Sequence, residues 1–81
     1  MSKTFSLTIT KVDEPVFTGE AQSVAVPGVA GDMVILAEHE PLISPLRAGT
    51  LSYVDAEGNE HSLETTCGTL EVAHNRAIIL L

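Results

Sequence analysis

Residues 51–81 read L-S-Y-V-D-A-E-G-N-E-H-S-L-E-T-T-C-G-T-L-E-V-A-H-N-R-A-I-I-L-L. Short runs of aliphatic and β-branched residues alternate here with clusters of turn formers, and no helical spacing of apolar residues persists. Residues 51–55 and 60–67 are predicted strands joined through Ala56-Glu57-Gly58-Asn59, with Gly58 and Asn59 suited to positive-φ positions. Residues 69–74 and 77–81 form a second predicted hairpin around Asn75-Arg76. Working upstream, Phe5, Leu7 and Ile9 alternate with Ser and Thr in residues 4–11, a half-buried strand. Pro15 breaks that run, and Gly19 punctuates the stretch after it. Residues 20–26 alternate again, with Ala21, Ser23 and Ala25 on one face and Gln22, Val24 and Val26 on the other. A turn containing Pro27, Gly28, Gly31 and Asp32 follows. Residues 33–37 are a continuous apolar run, fitting a strand covered on both faces or one crossing the inner layer. Residues 38–49 hold Pro41 and Pro45 and are expected to be irregular.

Turn signals thus recur every eight to twelve residues, and no amphipathic helix of twelve or more is found. The predicted fold is all-β: a two-sheet antiparallel β-sandwich of about ten short strands, one domain over residues 1–81. Phe5, Leu7, Ile9, Val24, Val26, Ile35, Leu51, Leu70, Val72 and Ile79 are expected to supply much of its core.

Composition narrows the function classes. Eighty-one residues make a small core, since folding at this size removes only ~60% of the extended chain's surface from water. Four basic residues against eleven acids give a net charge of −7, and Lys3, Lys11, Arg47 and Arg76 are scattered. No basic patch exists to neutralise phosphates, so no nucleic-acid partner and no direct adsorption to anionic lipid is expected. Phe5, Phe17 and Tyr53 are the only aromatics, so no platform for stacking bases is present. With Cys67 as the only cysteine no intrachain disulfide forms, which suits a reducing compartment. The N-terminus has no signal-peptide pattern, and the longest apolar run, at residues 77–81, is too short to cross a bilayer, so no direct membrane insertion is expected.

Candidate chemistry is sparse. Glu38, His39, Glu40, His61 and His74 are the residue types that ligate zinc or iron, and they support an alternative reading as a small cupin-like metal-binding or enzymatic β domain. Adjacent strand residues point to opposite faces, however, so His39 cannot share a face with both Glu38 and Glu40. Cys67 lacks a visible activating element and reads as a small buried hydrophobe. Gly28-Val29-Ala30-Gly31 has neither the Lys nor the Ser/Thr of a phosphate-binding loop. The residues thus predict no catalytic group, no metal and no cofactor. An unrelated protein-interaction sandwich is the third alternative.

Six landmarks, in order, carry a resemblance. They are Val16-Phe17-Thr18-Gly19-Glu20 after the first strand, Val24-Ala25-Val26-Pro27-Gly28-Val29-Ala30-Gly31-Asp32, His39-Glu40-Pro41-Leu42-Ile43, Leu46-Arg47-Ala48-Gly49-Thr50-Leu51, Gly68-Thr69-Leu70-Glu71-Val72, and the strand Phe5-Ser6-Leu7-Thr8-Ile9 itself. Together they resemble the epsilon subunit family of F-type ATP synthases, whose mitochondrial counterpart is called delta, in its N-terminal β-sandwich domain. Departures fall at Ala37-Glu38, where the family commonly has a Pro-Gly pair, at Glu40 for Ala, Ala48 for Pro and Cys67 for Gly. The family's C-terminal helical hairpin is not present in these residues.

That resemblance implies a non-catalytic rotor subunit of the central stalk, coupling rotation of the c-ring to the gamma subunit during ATP synthesis and ion transport. It implies a c-ring interface at Gly28, Val29, Ala30, Gly31 and Asp32 and at Glu38, His39, Glu40 and Pro41. It implies a gamma interface at Leu42, Ile43 and Ser44. The location it implies is peripheral, through the complex, on the cytoplasmic face of a bacterial inner membrane or the equivalent organellar side. Without the helical hairpin, coupling without autoinhibition is expected, and an acidic chain is not expected to bind a nucleotide.

Overall fold

The structure, a computed structural model, describes residues 3–81. Eight strands account for it: β1 Phe5–Thr10, β2 Pro15–Gly28, β3 Gly31–Leu36, β4 Leu42–Leu46, β5 Gly49–Asp55, β6 Glu60–Thr65, β7 Gly68–Ala73 and β8 Arg76–Leu80. The count is eight rather than about ten, and residues 15–28 form one long strand that runs through Gly19 without a break. All pairings are antiparallel except β1 with β8, which run parallel.

β2 is the spine. Along one edge it carries first β1 (Phe5↔Ala21 to Ile9↔Phe17) and then β3 (Ser23↔Leu36 to Gly28↔Gly31). Along the other it carries β5 (Ala25↔Ser52), and its last residue meets β4 (Gly28↔Leu46). One layer is therefore β3-β2-β5-β6. The other runs from the first half of β2 through β1, β8 and β7 to β4, and the Gly28–Leu46 contact joins the two at one corner.

The register between β2 and β5 slips between Ala21 and Ser23, where β2 passes from one layer into the other. That bulge is why Ala21 is fully buried beside Val24 and Val26, although strict alternation assigns it to the opposite face. Inward residues of both layers fuse into one core. All ten predicted core residues are in it, joined by Ala21, Leu46, Tyr53 and Ala77.

The proline-bearing stretch expected to be irregular holds β4. Pro45 is tolerated because the strand pairs with β7 along one side only, apart from the Gly28 corner, and a ladder donor is not needed at that position. β3 is not covered on both faces: Ile35 points inward, whereas Val34 and Leu36 are 59% and 55% exposed. The second hairpin turns at His74-Asn75 rather than Asn75-Arg76. Both residues have positive φ (52° and 57°), the signature of a two-residue type I′ turn. In the β5–β6 turn only Gly58 (φ 88°) takes the positive-φ position, not Asn59. Cys67 lies in the bend between β6 and β7 and is exposed, not a buried strand residue.

Candidate functional site

The two segments assigned above to a c-ring contact sit at opposite ends of β3. Gly28 and Gly31 close the β2–β3 hairpin, with Val29 and Ala30 exposed at its tip and Asp32 just after it. Gly31 takes φ 138°, which an L side chain rarely adopts. Gly28 has no room for a side chain, because a Cβ there would sit 2.7 Å from the Gly31 carbonyl oxygen. The corner is tied to the end of β4: Val29 N donates to Pro45 O (3.1 Å), Arg47 N donates to Pro27 O (2.9 Å), and Arg47 Nη2 pairs with Asp32 Oδ1. Asp32 therefore carries a surface ion pair, with the Arg47 guanidinium still half exposed.

Six residues further on, about 20 Å along the strand at ~3.3 Å per residue, lies the loop of Glu38, His39, Glu40 and Pro41. Glu38 is in the left-handed region at φ 62°, which a residue with a Cβ adopts only at a cost. Its backbone N–H donates to Asn75 Oδ1 (2.7 Å), and its carboxylate receives the Lys3 ammonium (2.8 Å). That lysine holds the Glu38 carboxyl below its ordinary range, and Glu38 in turn raises the Lys3 amine. Asn75 Nδ2 reaches Thr4 O (3.1 Å), and Asn75 O accepts from Ser6 N (3.1 Å). One asparagine thus joins the start of β1, the β3–β4 loop and the β7–β8 turn. His39 Nδ1 donates to the carbonyl of Glu40 at 2.7 Å and is not aimed at any carboxylate.

Leu42, Ile43 and Ser44 belong to β4, in register with Val72, Glu71 and Leu70. Leu42 and Ser44 are half-buried and Ile43 is 70% exposed. A shallow groove of about 400 Å³ opens at this end of β4, lined by Pro41, Leu42, Ile43, Glu71, Val72 and Ala73. The structure therefore brings residues 38–41 next to residues 42–43 and sets residues 28–32 apart from both.

The histidines do not converge. His61 Nε2 donates to Asp55 Oδ2 (2.9 Å) and its ring stacks on Tyr53 (4.9 Å, 21°), which in turn packs against Phe17. That hydrogen bond, with the backbone N–H groups of Asn59 and Glu57, holds the Asp55 carboxyl below the usual carboxylate range. Burial, and then the Asp55 charge, raises the Tyr53 phenol. His74 is at the β7–β8 turn. Among the described residues no three of His, Cys, Asp and Glu come together as a metal site, and the cupin-like alternative has no geometric support. Cys67 has no histidine partner; its carbonyl accepts from Thr65 Oγ1 (3.0 Å).

Sequence reasoning missed two features of this surface. Glu71 enters it only because Ile43 pairs with Glu71, a contact no local pattern encodes. Val34 and Leu36 form, with Ala25, Ser23, Ser52 and Val54 opposite them, an outer face almost free of charge; the unbroken apolar run of residues 33–37 was its only signal.

Comparison with known proteins places this geometry. Residues 4–81 match the family model described as ATP synthase, Delta/Epsilon chain, beta-sandwich domain. The ATP synthase epsilon chain of Bordetella petrii is 39% identical over 77 residues, covering 95% of this chain and 55% of that one. The epsilon chain of Latilactobacillus sakei is 36% identical over 80 residues, covering 96% and 55%. This chain thus spans about half the length of the curated relatives it matches. A chain in the Euglena gracilis mitochondrial ATP synthase (OSCP/F1/c-ring) superposes with a TM-score of 0.89 at 23% identity, covering 95% of this chain and 49% of that one. A chain in the Tetrahymena thermophila mitochondrial ATP synthase (central stalk/c-ring) gives 0.77 at 15% identity, covering 98% and 63%. With the match running from the first strand to the last residue, the chain belongs to the ATP synthase delta/epsilon chain β-sandwich domain family.

Proposed function

We propose that this chain acts as the β-sandwich part of an F-type ATP synthase epsilon subunit, a non-catalytic piece of the central stalk that couples c-ring rotation to the gamma subunit. The observation that carries this reading is the family match over residues 4–81, supported by curated epsilon chains covering 95% of the chain. A torque-transmitting part needs stiffness more than reactive groups, and a continuously hydrogen-bonded network of eight strands around one core supplies it. The location proposed with it is peripheral, on the cytoplasmic face of a bacterial inner membrane or the equivalent organellar side.

On this reading the c-ring meets the Gly28-to-Asp32 corner, whose tip is exposed and whose carboxylate is already oriented by Arg47. Gamma takes β4 around Leu42, Ile43 and Ser44; the Glu38-to-Pro41 loop, expected from the resemblance to meet the c-ring, adjoins the β4 groove and is assigned here to gamma instead. Charge at such an edge fixes docking register more than raw affinity. Adding the chain to an epsilon-depleted complex tests the reading, following both coupling and ATP hydrolysis. Restored coupling with uninhibited hydrolysis is expected. Coupling that stays absent overturns the reading, and calorimetric binding of ATP to the chain overturns the expectation that these residues hold no nucleotide.

A further inference from the structure

The groove at the end of β4 has one ionisable lining residue. Pro41, Leu42, Ile43, Val72 and Ala73 are apolar, and Glu71 is the single charge among them. Cross-strand register fixes its place: Ile43, Glu71 and Ile78 form one row on the outer face of β4, β7 and β8, with Glu71 in the middle. Strands ~4.8 Å apart put the two isoleucines about 10 Å from each other, on either side of the carboxylate. Ile43 is 70% exposed, and Leu80, one pleat further along β8, is 54% exposed. Arg76 precedes Ile78 by two residues on the same face, yet among the described residues no ion pair joins it to Glu71.

We infer that this groove receives a single lysine or arginine side chain from the gamma subunit. The inference rests on the proposal that gamma docks on β4. A long basic side chain matches both parts of the site. Its aliphatic stem lies along Ile43 on the outer face, and its cationic head meets Glu71 beside it. A purely aliphatic anchor would cover Glu71 with no partner, and an acidic one would set like charges together in an increasingly dry groove. The chain's net charge of −7 steers the same way, toward a basic patch on the partner. Glu71 thereby selects the partner's register, and Ile43 supplies the apolar contact.

The test is titration of the chain with its cognate gamma subunit at low and high salt, using wild type, Glu71→Gln, Glu71→Lys and Ile43→Asp. Both positions are exposed, and a thermal melt of each variant checks that folding is kept. Glu71→Gln is expected to weaken binding about tenfold to a hundredfold at low salt, as loss of a charged hydrogen bond does, and to flatten the salt dependence. Glu71→Lys weakens it further. If Ile43→Asp abolishes binding while Glu71→Gln leaves affinity and salt dependence unchanged, the cation assignment fails and gamma docking on β4 stands. If Glu71→Gln weakens binding with the salt dependence intact, the partner group is uncharged and the assignment also fails. If wild type does not bind, or no variant changes binding, both inferences fall.

Discussion

Replacing Asn75 by alanine should cost this small domain a large share of its stability, because three separate segments meet on that residue. The substitution removes the acceptor for Glu38 N (2.7 Å) and the donor to Thr4 O (3.1 Å), while the main-chain bond from Ser6 N survives. Both lost bonds are near the surface, where water replaces them in part, so together they contribute about 1 kcal/mol. Asn75 also sits at φ 57°, a conformation asparagine tolerates and alanine resists at a cost of about 1–2 kcal/mol. The sum is about 2–3 kcal/mol, against a total of about 4–12 kcal/mol for a chain this long. It corresponds to a fall in Tm of about 10–20 °C. Asn75→Gly loses the same two bonds but keeps the backbone free to turn, so it should lose less, about 1.5 kcal/mol. Urea unfolding measures both, and hydrogen exchange at the Glu38 amide should accelerate equally in the two variants. An alanine variant within about 0.5 kcal/mol of wild type, or a glycine variant worse than alanine, would refute the reasoning.

Two further substitutions separate steric from dihedral demands on glycine. A Cβ at Gly68 would collide with the Leu80 carbonyl oxygen across the β7–β8 ladder, so Gly68→Ala should cost about 2–3 kcal/mol in urea unfolding. Gly58 has open space but φ 88°, so Gly58→Ala should cost about 1–2 kcal/mol; a larger loss at Gly58 than at Gly68 would contradict this ordering. Asp55 supplies a pH dependence. Its folded-state carboxyl lies below the unfolded value, so its contribution is complete above the ordinary carboxylate range and fades as pH falls through the folded value. Urea midpoints between neutral and strongly acidic pH should fall less steeply for Asp55→Asn than for wild type. Parallel curves would assign the acid sensitivity to other carboxylates.

Much of this fold is written in period-two alternation, and that part is legible. Phe5, Leu7 and Ile9, or Leu70 and Val72, name their own buried face because each strand is covered on one side only. What the sequence hides are departures from that period and long-range pairings. Ala21 joins the core through a bulge that no local pattern announces. Leu46 belongs to a strand whose proline, Pro45, argues against it until β4 is seen to pair along one side. Tyr53 is buried by Phe17 in front and His61 behind, contacts that depend on three strands meeting. On the functional side, the Gly28-to-Asp32 and Glu38-to-Pro41 segments are recognisable as strings. Their separation by the length of β3 is a property of topology alone.

That separation decides how the proposed contacts divide. Strands of β3's length hold their two ends about 20 Å apart, and the loops at each end are anchored to different neighbours. Residues 28–32 are tied to Pro45 and Arg47, while residues 38–41 are tied to Lys3 and Asn75. A ring surface meeting this domain end-on reaches one of these ends and not both. The corner at Gly28 suits that contact, because Val29 and Ala30 are exposed at its tip, the end of β4 holds it in place, and its one carboxylate is already held by Arg47. The loop at Glu38 opens instead onto Pro41 and the β4 groove, so whatever occupies that groove also covers the loop. Asp32→Lys should therefore weaken c-ring association and leave gamma binding intact, and Glu40→Lys should do the reverse. Loss of ring association in both variants would mean that the ring lies along β3 rather than across its end, and Val34 and Leu36 would then be the residues beneath it.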